Sequence, residues 1–511
     1  MNAELYPTAP DPIGHWARLA GGRTALVDPT RDQRHTYAEL DAIIDRHARV
    51  LLSMAVGPGD IVATLAGTRT EHIALFHACG RVGAALSPLN WRLSPAELTP
   101  ILRNAQPKVL FGEARFRGLA ETAMAGAPEV ATRCIDVDEE LPSLLRSADA
   151  SPRMTPRPVS AEDAALVLYT SGSTGRPKGA VLPHRQILFN ALATTSSWEL
   201  GPGDVALVST PLFHTGGWNV FATPLWQRGG TVVLFDGFDA AEFLNTMAQH
   251  GCTVALTVPT QLLMLTQSTS WGMPLPALRS FFSGGASLPA SLGERVRAAG
   301  YNLREGYGLT ECGPNCFAMP PELAPDRPGV VGWPVQFLDA RVVDDAGRDA
   351  EDGAAGELWL RGPQRFSGYL RDSERTAEAI TADGWLRTGD IVGRGTDGAF
   401  SICGRAKEMY ISGGENVYPA EVEAALAECD GVAECAVIGV PDEKWGEVGR
   451  AFVVRTGETG PGADDLMSMM RRRLAGFKTP RSIIFVEALP RLGSGKIDRT
   501  ALRKMVEVAN G

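Results

Sequence analysis

The sequence predicts an α/β protein: a large N-terminal domain of layered α/β subdomains plus a small β-rich subdomain, followed by a small α+β C-terminal domain. Three observations support this prediction: the length of 511 residues, a repeated alternation of strand-like and helix-like segments, and a change to short strands and turns from about residue 335. A single hydrophobic core stops growing near about 250–300 residues. A chain of this length is therefore expected to divide into at least two domains.

The alternation of helices and strands begins at Thr36. The segment TYAELDAIIDRHARVLLSMAVGPGD supplies a helix N-cap, apolar residues at helical spacing and a Gly-Pro-Gly stop. The next run, IVATLAG, is typical of a buried strand, and EHIALFHACGRVGAAL is typical of another helix. Further strand-like runs are AALVLYT, DVALVST, TVVLF and CTVALTV. This pattern predicts helical layers around a largely parallel sheet.

The character of the sequence changes twice in its last third. The segment FLDARVVDDAGRDAEDGAAGELWLRG, from about residue 335, is typical of the short strands and turns of a β-rich subdomain. A polar Gly-rich loop in GRAKEMYISGGEN then precedes a helix that opens near Pro419. We therefore expect an N-terminal domain over residues 1–404 and a C-terminal domain over residues 405–511.

Composition excludes several classes of protein. A net charge of −10 argues against a nucleic-acid binder, because such proteins carry clustered positive charge. The eight cysteines contain no Cys-x-x-Cys pair, which is typical of reduced thiols. The N-terminal residues do not resemble a secretion signal, and no apolar run is long enough to span a membrane. We therefore expect a cytoplasmic protein with no integral membrane segment.

The stretch YTSGSTGRPKGA at 169–180 follows the strand-like AALVLY and contains little that could be buried. It offers hydroxyl groups and one ammonium group, on Thr170, Ser171, Ser173, Thr174 and Lys178. Glycine-flanked backbone amides, hydroxyls and an ammonium together form a phosphate cradle. The loop is not a Walker A motif, because Gly179 follows the lysine where Ser or Thr is required. A flexible polar turn is the structural alternative.

This stretch resembles the phosphate-binding loop of the adenylate-forming enzymes, the superfamily of acyl-CoA synthetases, peptide-synthetase adenylation domains and firefly-type luciferases. Four later segments resemble other signatures of that superfamily, in the same order: GYGLTE at 306–311, GWLRTGD at 384–390, GRAKEMYISGGEN at 404–416 and PRLGSGKIDR at 490–499. One match would be weak evidence, but five matches in order are specific. The chain is therefore identified as a member, most similar to fatty-acid and aryl-acid CoA ligases.

The resemblance implies that a carboxylate attacks the α-phosphate of ATP, which gives an acyl-adenylate and pyrophosphate. The charge that develops on phosphate oxygens is stabilised by positioned cations and N–H donors. By resemblance, Glu311 helps to hold Mg²⁺, Thr310 contacts the α-phosphate, and Tyr307 lies against adenine. Asp390 accepts hydrogen bonds from the ribose hydroxyls, and Arg405 reaches the same sugar. A turn into a helix for GYGLTE and a strand-end cap for Asp390 are the alternatives.

Further residues are expected to complete the nucleotide site. The segment FSGGASL at 282–288 is expected to form part of the adenine site and a wall of the acid pocket. Thr170 is also expected to take part in catalysis. Besides Tyr307, Thr310, Asp390 and Arg405, the nucleotide-binding residues that the resemblance implies are Thr170, Ser171, Ser173, Thr174, Lys178, Gly284, Gly285, Ala286 and Gly308.

Lys496 lies in the segment GSGK, where glycines let the backbone approach a ligand. A compact ammonium can meet both the attacking carboxylate and the α-phosphate, where a planar guanidinium would crowd them. The chain has seven lysines among its 49 basic residues, yet it uses lysine here. We therefore predict that Lys496 is the catalytic lysine of adenylation. A solvated C-terminal lysine is the alternative.

The resemblance also implies a second half-reaction, in which a mobile C-terminal domain rotates and coenzyme A attacks the acyl-adenylate. Lys407 falls at the hinge position of the matching motif. Gly413 and Gly414 fall in the loop expected to line the tunnel for the pantetheine arm, where small residues let a narrow chain pass beside the backbone. A simple interdomain turn is the alternative for this loop.

The stretch STPLFHTGGWNVF at 209–221 falls where this superfamily builds part of its acid pocket. Amino-acid adenylation domains usually carry an aspartate here for the substrate ammonium, whereas this chain has Phe213 and His214, which favour an uncharged tail. His214 is expected to gate the pocket or stack on the acyl group, with a structural histidine as the alternative. Trp218 is expected to close the pocket floor, or else to belong to the core. The predicted pocket residues are His214, Gly216, Gly217 and Trp218.

These expectations together predict an ATP-, Mg²⁺- and CoA-dependent acid–thiol ligase for a medium- or long-chain fatty acid or an aryl acid. A stand-alone enzyme that loads an acyl carrier protein is the first alternative. A binding protein that has lost catalysis and an oxidative luciferase-like enzyme are the others, and neither is favoured because Lys496, Glu311 and Asp390 are present and no residue marks oxygen chemistry. The sequence leaves the exact acid and homodimer formation open.

Overall fold

The architecture is described from a computed structural model of the chain. The structure describes all residues except 1–8, 149–157, 171–176, 287, 321, 325–326, 328, 345, 352, 413–414, 443, 458–459, 493–494 and 511. Its helices are α1 (Pro12–Ala20), α2 (Tyr37–Ser53), α3 (Thr70–Val82), α4 (Pro95–Ala105), α5 (Arg117–Ala125), α6 (Leu141–Ala148), α7 (His184–Ser197), α8 (Thr215–Asn219), α9 (Ala222–Arg228), α10 (Ala240–His250), α11 (Pro259–Gln267), α12 (Ala290–Ala298), α13 (Ser373–Ala379), α14 (Pro419–Ala427), α15 (Ala463–Arg473) and α16 (Arg499–Asn510).

The strands form four sheets. In chain order they are β1 (Thr24–Asp28), β2 (Gln33–Thr36), β3 (Ile61–Leu65), β4 (Ala85–Pro88), β5 (Val109–Gly112), β6 (Arg133–Asp136), β7 (Ala164–Thr170), β8 (Lys178–Pro183), β9 (Val205–Val208), β10 (Thr231–Leu234), β11 (Val254–Thr257), β12 (Ser280–Ser283), β13 (Leu303–Glu305), β14 (Tyr307–Leu309), β15 (Gly313–Ala318), β16 (Val330–Pro334), β17 (Asp339–Val343), β18 (Ala355–Arg361), β19 (Gly368–Tyr369), β20 (Leu386–Arg394), β21 (Phe400–Arg405), β22 (Tyr410–Ser412), β23 (Glu415–Val417), β24 (Val432–Asp442), β25 (Gly446–Arg455) and β26 (Ser482–Phe485).

Sheets I and II are mainly parallel. Sheet I has the strand order β19-β8-β7-β4-β3-β5-β6, and sheet II has the order β13-β12-β11-β9-β10-β1-β2. In sheet I the strands β7, β4, β3, β5 and β6 pair in parallel, and β8 and β19 add an antiparallel edge. All five residues of β3 are buried, as expected for an inner strand covered by helices on both faces. The predicted strands around residues 61, 164, 205, 231 and 254 are confirmed.

The first predicted helix is also confirmed at its start. The side chain of Thr36 accepts a hydrogen bond from the backbone amide of Glu39, and the Glu39 carboxylate accepts one from the Thr36 amide. This capping box satisfies two amides that a helix start leaves without partners. The helix then buries Leu40, Ile44 and Leu51 against the core shared with sheet I.

Sheet III is antiparallel, with the order β14-β15-β16-β21-β20-β18-β17. It is the predicted β-rich subdomain, but it begins at Tyr307 rather than near residue 335. GYGLTE forms the strand Tyr307–Leu309 and a 3₁₀ turn, Thr310–Cys312, rather than a turn into a helix. The two strands of this hairpin approach so closely that a Cβ on Gly308 would lie 2.2 Å from the carbonyl carbon of Pro314. Backbone packing alone therefore requires glycine at this position.

Sheet IV forms the C-terminal domain, with the order β23-β22-β25-β24 and β26 paired to β25. Two apolar clusters lie on its faces, one with helices α14 and α15 and the other with α16. The chain leaves sheet III at Arg405 and enters sheet IV at Tyr410. A boundary between residues 404 and 405 therefore lies at the end of the last strand of sheet III, and we retain it as a proposal.

Two expectations from composition can be compared with the described part of the chain. All eight cysteines lie there as free thiols, and five of them are buried. None of the described helices is both long and apolar enough to cross a membrane.

Candidate active site

The hairpin of β7 and β8 places Thr170 opposite Lys178, where their strands pair. The loop that joins these two residues includes Ser171, Ser173 and Thr174, and these three predicted phosphate ligands lie outside the described residues. The hairpin register still fixes both ends of the loop. Thr170 and Lys178 are therefore held side by side at its mouth.

Lys178 lies against the aromatic ring of Tyr369, with 4.6 Å between Nζ and the ring centroid. Tyr369 is on β19, which pairs with β8 at the edge of sheet I. Partial burial lowers the pKa of Lys178, the nearby Glu311 carboxylate raises it, and the Lys407 ammonium lowers it. A cation that is partly removed from water interacts more strongly with an incoming phosphate than an exposed one does.

The turn that carries Thr310 and Glu311 is held from two sides. The Tyr369 hydroxyl donates a hydrogen bond to Glu311 Oε1 at 2.9 Å, and the Phe366 amide donates to the Glu311 carbonyl at 2.8 Å. From helix α7, the side-chain amide of Gln186 donates to the Thr310 carbonyl at 2.9 Å. Tyr369 and Gln186 are site residues that the sequence reasoning missed. Neither lies in a motif, and their contacts span 58 and 124 residues.

The single carboxylate of Glu311 suits Mg²⁺ that arrives with a nucleotide. Among the described residues, no group of three His, Cys, Asp or Glu side chains could hold a metal ion alone. Magnesium in nucleotide sites is usually bound by one or two carboxylates together with substrate phosphates and water. Glu311, beside Lys178 and the phosphate-loop hairpin, fits this mode of binding.

Tyr307, Asp390 and Arg405 form one connected group on sheet III. The Tyr307 hydroxyl donates to Asp390 Oδ2 at 2.5 Å, and Arg405 Nε lies 2.9 Å from Asp390 Oδ1. Asp390 and Arg405 are direct partners in the pairing of β20 with β21. Burial and then the Asp390 charge raise the pKa of Tyr307, so its phenol stays a donor. A carboxylate has about four acceptor positions, which leaves capacity for ribose hydroxyls.

The predicted adenine segment follows β12 directly. A Cβ on Gly284 would lie 3.2 Å from the carbonyl oxygen of Gly306, the residue before Tyr307. Gly285 has φ of +81°, in the left-handed region that favours glycine, and Ala286 is exposed. Because the segment follows β12, it lies at the carboxyl end of a parallel strand, where open α/β sheets bind ligands. The contact with Gly306 also places it beside the start of β14.

The predicted acid segment begins with His214, which precedes the short helix α8. Burial, together with the positive charges of Lys496 and Arg92, lowers the pKa of His214 to about 4, so the imidazole is neutral at pH 7. Its ring lies 4.7 Å from that of Phe213, which in turn lies 6.1 Å from Trp91. The surroundings of His214 are thus aromatic and cationic.

Trp218 and the two glycines before it are closely packed. Trp218 has no exposed surface, its indole donates to the Leu212 carbonyl at 2.5 Å, and its ring lies 4.7 Å from that of Phe76. A Cβ on Gly217 would lie 2.6 Å from the Thr210 carbonyl oxygen, whereas one on Gly216 would find its nearest atoms at 3.3 Å. The structure places Trp218 in the core, the alternative that the sequence left open, rather than on an open pocket floor.

Lys496 of the C-terminal domain faces the N-terminal site. Its side chain keeps exposed surface, yet the protein around it removes part of its hydration, and this desolvation lowers its pKa. Arg405 lowers the pKa further, while the carboxylates of Glu311 and Asp390 favour the charged form. Since Lys496 also acts on His214, the structure brings it together with the residues predicted for the metal, the ribose and the acid.

The predicted hinge and tunnel are described only in part. Lys407 is exposed in the turn between β21 and β22, and its charge reaches Lys178. The turn is anchored by the Ala406 amide, which donates to the Gly389 carbonyl at 3.0 Å. Gly413 and Gly414 lie outside the described residues, so their role in a tunnel stays a prediction.

The fold and this arrangement define a class of enzyme that activates carboxylates with a nucleotide. The chain belongs to the AMP-binding enzyme family: the family profile matches residues 13–370, and that of the AMP-binding enzyme C-terminal domain matches residues 421–496. It is an adenylate-forming acid–CoA ligase, a type of enzyme that uses ATP and coenzyme A.

Similar proteins span nearly the whole chain. A feruloyl-CoA synthase of Amycolatopsis sp. is 38% identical over 502 residues, which cover 96% of this chain and 98% of that protein. A fatty acid–[acyl-carrier-protein] ligase of Streptomyces coeruleorubidus is 35% identical over 518 residues, which cover 98% and 94%. The crystal structure of an anthranilate CoA ligase in complex with anthranoyl-AMP has a TM-score of 0.91 and 28% identity, with full coverage of both chains.

Proposed function

We propose that the enzyme converts a hydrophobic carboxylic acid, either an aryl acid or a medium- to long-chain fatty acid, to its acyl-CoA. The observation that carries this proposal is the aromatic surroundings of His214, where the charged groups that act on the imidazole, Lys496 and Arg92, are both cations. Burying an unpaired ammonium there would cost about several kcal/mol. Feruloyl-CoA synthase and anthranilate CoA ligase are named for aromatic acids, in keeping with this proposal.

In the first half-reaction, a carboxylate oxygen of the acid forms a bond to the α-phosphorus of ATP. The bond from that phosphorus to the bridging oxygen breaks, and pyrophosphate leaves. We assign Lys496 to the α-phosphate and the attacking carboxylate, and Thr170 and Lys178 to the phosphates. Their charges and hydrogen bonds stabilise the negative charge that develops on phosphate oxygens.

The remaining nucleotide contacts orient the reactants. Asp390, held by Tyr307 and Arg405, would accept hydrogen bonds from the ribose, and residues Gly284 to Ala286 would border the adenine. Glu311 would hold Mg²⁺ together with the phosphates, and the ion would supply positive charge to them when bound. Binding the sugar on one side and the phosphates on the other fixes the α-phosphorus in line with the acid.

In the second half-reaction, the thiol of coenzyme A attacks the acyl carbonyl carbon, and AMP leaves. Lys496 lies near the charges of Glu311 and Asp390 in the present arrangement, which suits the first half-reaction. We therefore propose that the C-terminal domain turns about Lys407 to bring Gly413 and Gly414 to the site, with the pantetheine arm beside them. Domain movements of this kind commonly separate two steps of one reaction.

The direct test is a panel of carboxylic acids, scored for acid-dependent AMP release with CoA and Mg·ATP and for the mass of the product. We expect aryl and fatty acids to give acyl-CoA. A panel in which only α-amino acids or short dicarboxylic acids release AMP would contradict the proposed substrate class. Omission of Mg²⁺ should abolish turnover with every acid, because Glu311 and the phosphates are all negatively charged and the ion would supply the positive charge between them.

Transfer to a carrier protein is a second candidate function, favoured by the similarity to a fatty acid–[acyl-carrier-protein] ligase. Both functions share the first half-reaction, so pyrophosphate exchange would not separate them. CoA and a phosphopantetheinylated carrier protein should be offered together, and both products should be measured by mass. We expect acyl-CoA to form in excess, and exclusive loading of the carrier would favour the second function.

A further inference from the structure

A cavity of about 130 Å³ lies between helices α1, α3, α7 and α9. None of the residues that line it is among the nucleotide, acid or hinge residues assigned above. Most of its walls are apolar, and they include Phe76, Val159, Ile187, Leu188, Ala191 and Trp226. An apolar cavity of about 150 Å³ in another protein is large enough to bind benzene. This cavity therefore has the size for a compound with one ring.

Two histidines, the half-buried His77 on α3 and the buried His184 at the start of α7, supply polar atoms to the cavity wall. His184 exposes 8% of its surface. Neither Nε2 atom has a hydrogen-bond partner in the part of the chain that the structure describes. Buried polar atoms without partners are rare in folded proteins, so these two point to a ligand that would supply the missing hydrogen bonds.

The lining of the cavity favours an uncharged ligand. Burial lowers the pKa of His184 to about 4 and also lowers that of His77, so both imidazoles are neutral at pH 7. The one guanidinium on the wall, that of Arg81, is already paired with Asp11 at 3.0 Å and Asp41 at 2.5 Å. A charged ligand would find no free counter-charge among the lining residues, which favours a neutral compound.

The histidines also indicate which polar group the compound carries. A neutral imidazole has one nitrogen that donates and one that accepts. A hydroxyl both donates and accepts, so it can bond to either tautomer of each ring. The Trp226 ring lies edge-on to His77 at 5.2 Å, and aromatic walls of this kind favour an aromatic partner. A hydroxyl on an aromatic ring therefore matches both the polar and the apolar parts of the wall.

The walls of the cavity are in contact with the acid segment. The Phe76 ring packs on Trp218 at 4.7 Å, and the Thr223 hydroxyl donates to Asn219 Oδ1 at 3.0 Å. Trp218 and Asn219 both belong to α8, the helix that His214 precedes. A compound that moves Phe76 or Thr223 would thus move the helix that borders the acid.

We propose that this cavity is a second small-molecule site, which binds a neutral hydroxylated single-ring compound of the phenol class and is coupled to the acid segment through α8. The proposal does not depend on which acid the enzyme activates. Phenol itself is the probe, and toluene, which has the ring but no hydroxyl, is the matched comparison.

Binding should be measured on the full chain by ligand-observed NMR titration, with two variants of the cavity. His184→Phe keeps a ring and removes its nitrogens. Gly80→Ala places a methyl group 3.3 Å from His184 Cε1, and outside its own helix this group meets no other described residue within 4 Å. We expect each variant to weaken phenol binding about fivefold or more. His184→Phe removes a hydrogen bond, which costs about 1 kcal/mol, and Gly80→Ala takes up part of the cavity with its methyl group. Toluene, which lacks the hydroxyl, should bind more weakly than phenol to the unaltered enzyme.

A control makes the result decisive. His15→Phe changes an exposed histidine of α1 outside the cavity and should leave phenol affinity unchanged. If phenol binds equally well to both cavity variants, the proposal is overturned. Thermal unfolding of each variant checks that it is folded. If His184→Phe does not fold, Gly80→Ala still tests the site.

The coupling is tested by the KM of the acid in the presence and absence of saturating phenol. We expect the KM to change about twofold or more in the unaltered enzyme, a modest coupling between two sites. The phenol concentration that produces half of this change should rise about fivefold in Gly80→Ala. An unchanged KM in the unaltered enzyme would overturn the coupling. The same dependence on phenol concentration in both enzymes would show that phenol competes in the acid pocket and would overturn the site itself.

Discussion

The nucleotide side and the acid side of the site are built by different interactions. Tyr307, Asp390 and Arg405 on the nucleotide side are joined by hydrogen bonds and an ion pair between strands of one sheet. On the acid side, Phe213 and Trp218 are positioned by ring packing and burial, and His214 is neutral. The difference indicates that hydrogen bonds and charges hold the residues proposed for the nucleotide, whereas core packing positions the segment proposed to border the acid.

The largest expected effect concerns the packed side. Trp218→Gly should destabilise the protein by about 3–5 kcal/mol, because it removes a fully buried side chain and leaves a cavity. Urea unfolding with the acid absent measures this change, and Trp445→Gly, at an exposed tryptophan, serves as the control. A stable variant that prefers longer acids would restore Trp218 to the pocket floor and contradict its assignment to the core.

The next effect concerns the charged side. Lys496→Ala should slow formation of the acyl-adenylate about 10²–10³-fold, the usual consequence of removing one group that stabilises the transition state. Conversion of supplied acyl-adenylate and CoA should remain substantially active, since in the proposed domain rotation Lys496 faces the site only during the first half-reaction. Single-turnover assays of the two half-reactions measure both rates, and Lys504→Ala is a control on the same domain. Equal loss in both half-reactions would refute the assignment.

A smaller effect should appear in acid. His214 has a folded pKa of about 4 against an unfolded value of 6.5, so the fold favours its neutral form. The stability that this contributes is complete above pH 6.5 and is lost as the pH falls towards 4. Between pH 7 and 5, the unaltered enzyme should lose about 1–2 kcal/mol more than His214→Gln. Parallel stability curves for the two proteins would show that His214 is not buried as described.

The smallest effect tests a positioning residue that connects Glu311 with Lys178. Tyr369→Phe keeps the ring beneath Lys178 and removes the hydroxyl bonded to Glu311. We expect about a tenfold higher Mg²⁺ requirement in pyrophosphate exchange, because a hydrogen bond to a charged group contributes about 1.5 kcal/mol. Binding of a fluorescent ATP analogue without Mg²⁺ should not change. Tyr301→Phe is the control, and a loss that additional Mg²⁺ cannot reverse would contradict this role.

The sequence predicted the fold well because its signals are local. Alternating apolar runs indicated the strands of sheets I and II, and the capping box at Thr36 indicated where α2 begins. The pairing of Asp390 with Arg405 agrees with a resemblance that assigns both to one sugar. These features depend on residues close in sequence, or on motifs whose chemistry restricts the residue types.

Other parts of the site could not be predicted from the sequence for physical reasons. Tyr369 and Gln186 reach Glu311 and Thr310 through contacts that only the folded chain creates. Residue spacing could not decide whether Trp218 faces a pocket or the core, because a helix of five residues, TGGWN, is too short to show an apolar periodicity. The start of sheet III at Tyr307 was missed because a glycine-rich hairpin and a turn look alike in sequence.

The central claim is that the pocket for the acid offers no negative charge to a substrate ammonium, whereas charged residues bind the nucleotide. A matched pair of acids tests this claim most directly. The measurement is kcat/KM for 3-phenylpropanoate and for phenylalanine, which differ by one ammonium group, with Mg·ATP and CoA. We predict a preference of about hundredfold or more for 3-phenylpropanoate, since an unpaired buried charge costs about several kcal/mol. Equal or better use of phenylalanine would contradict the account.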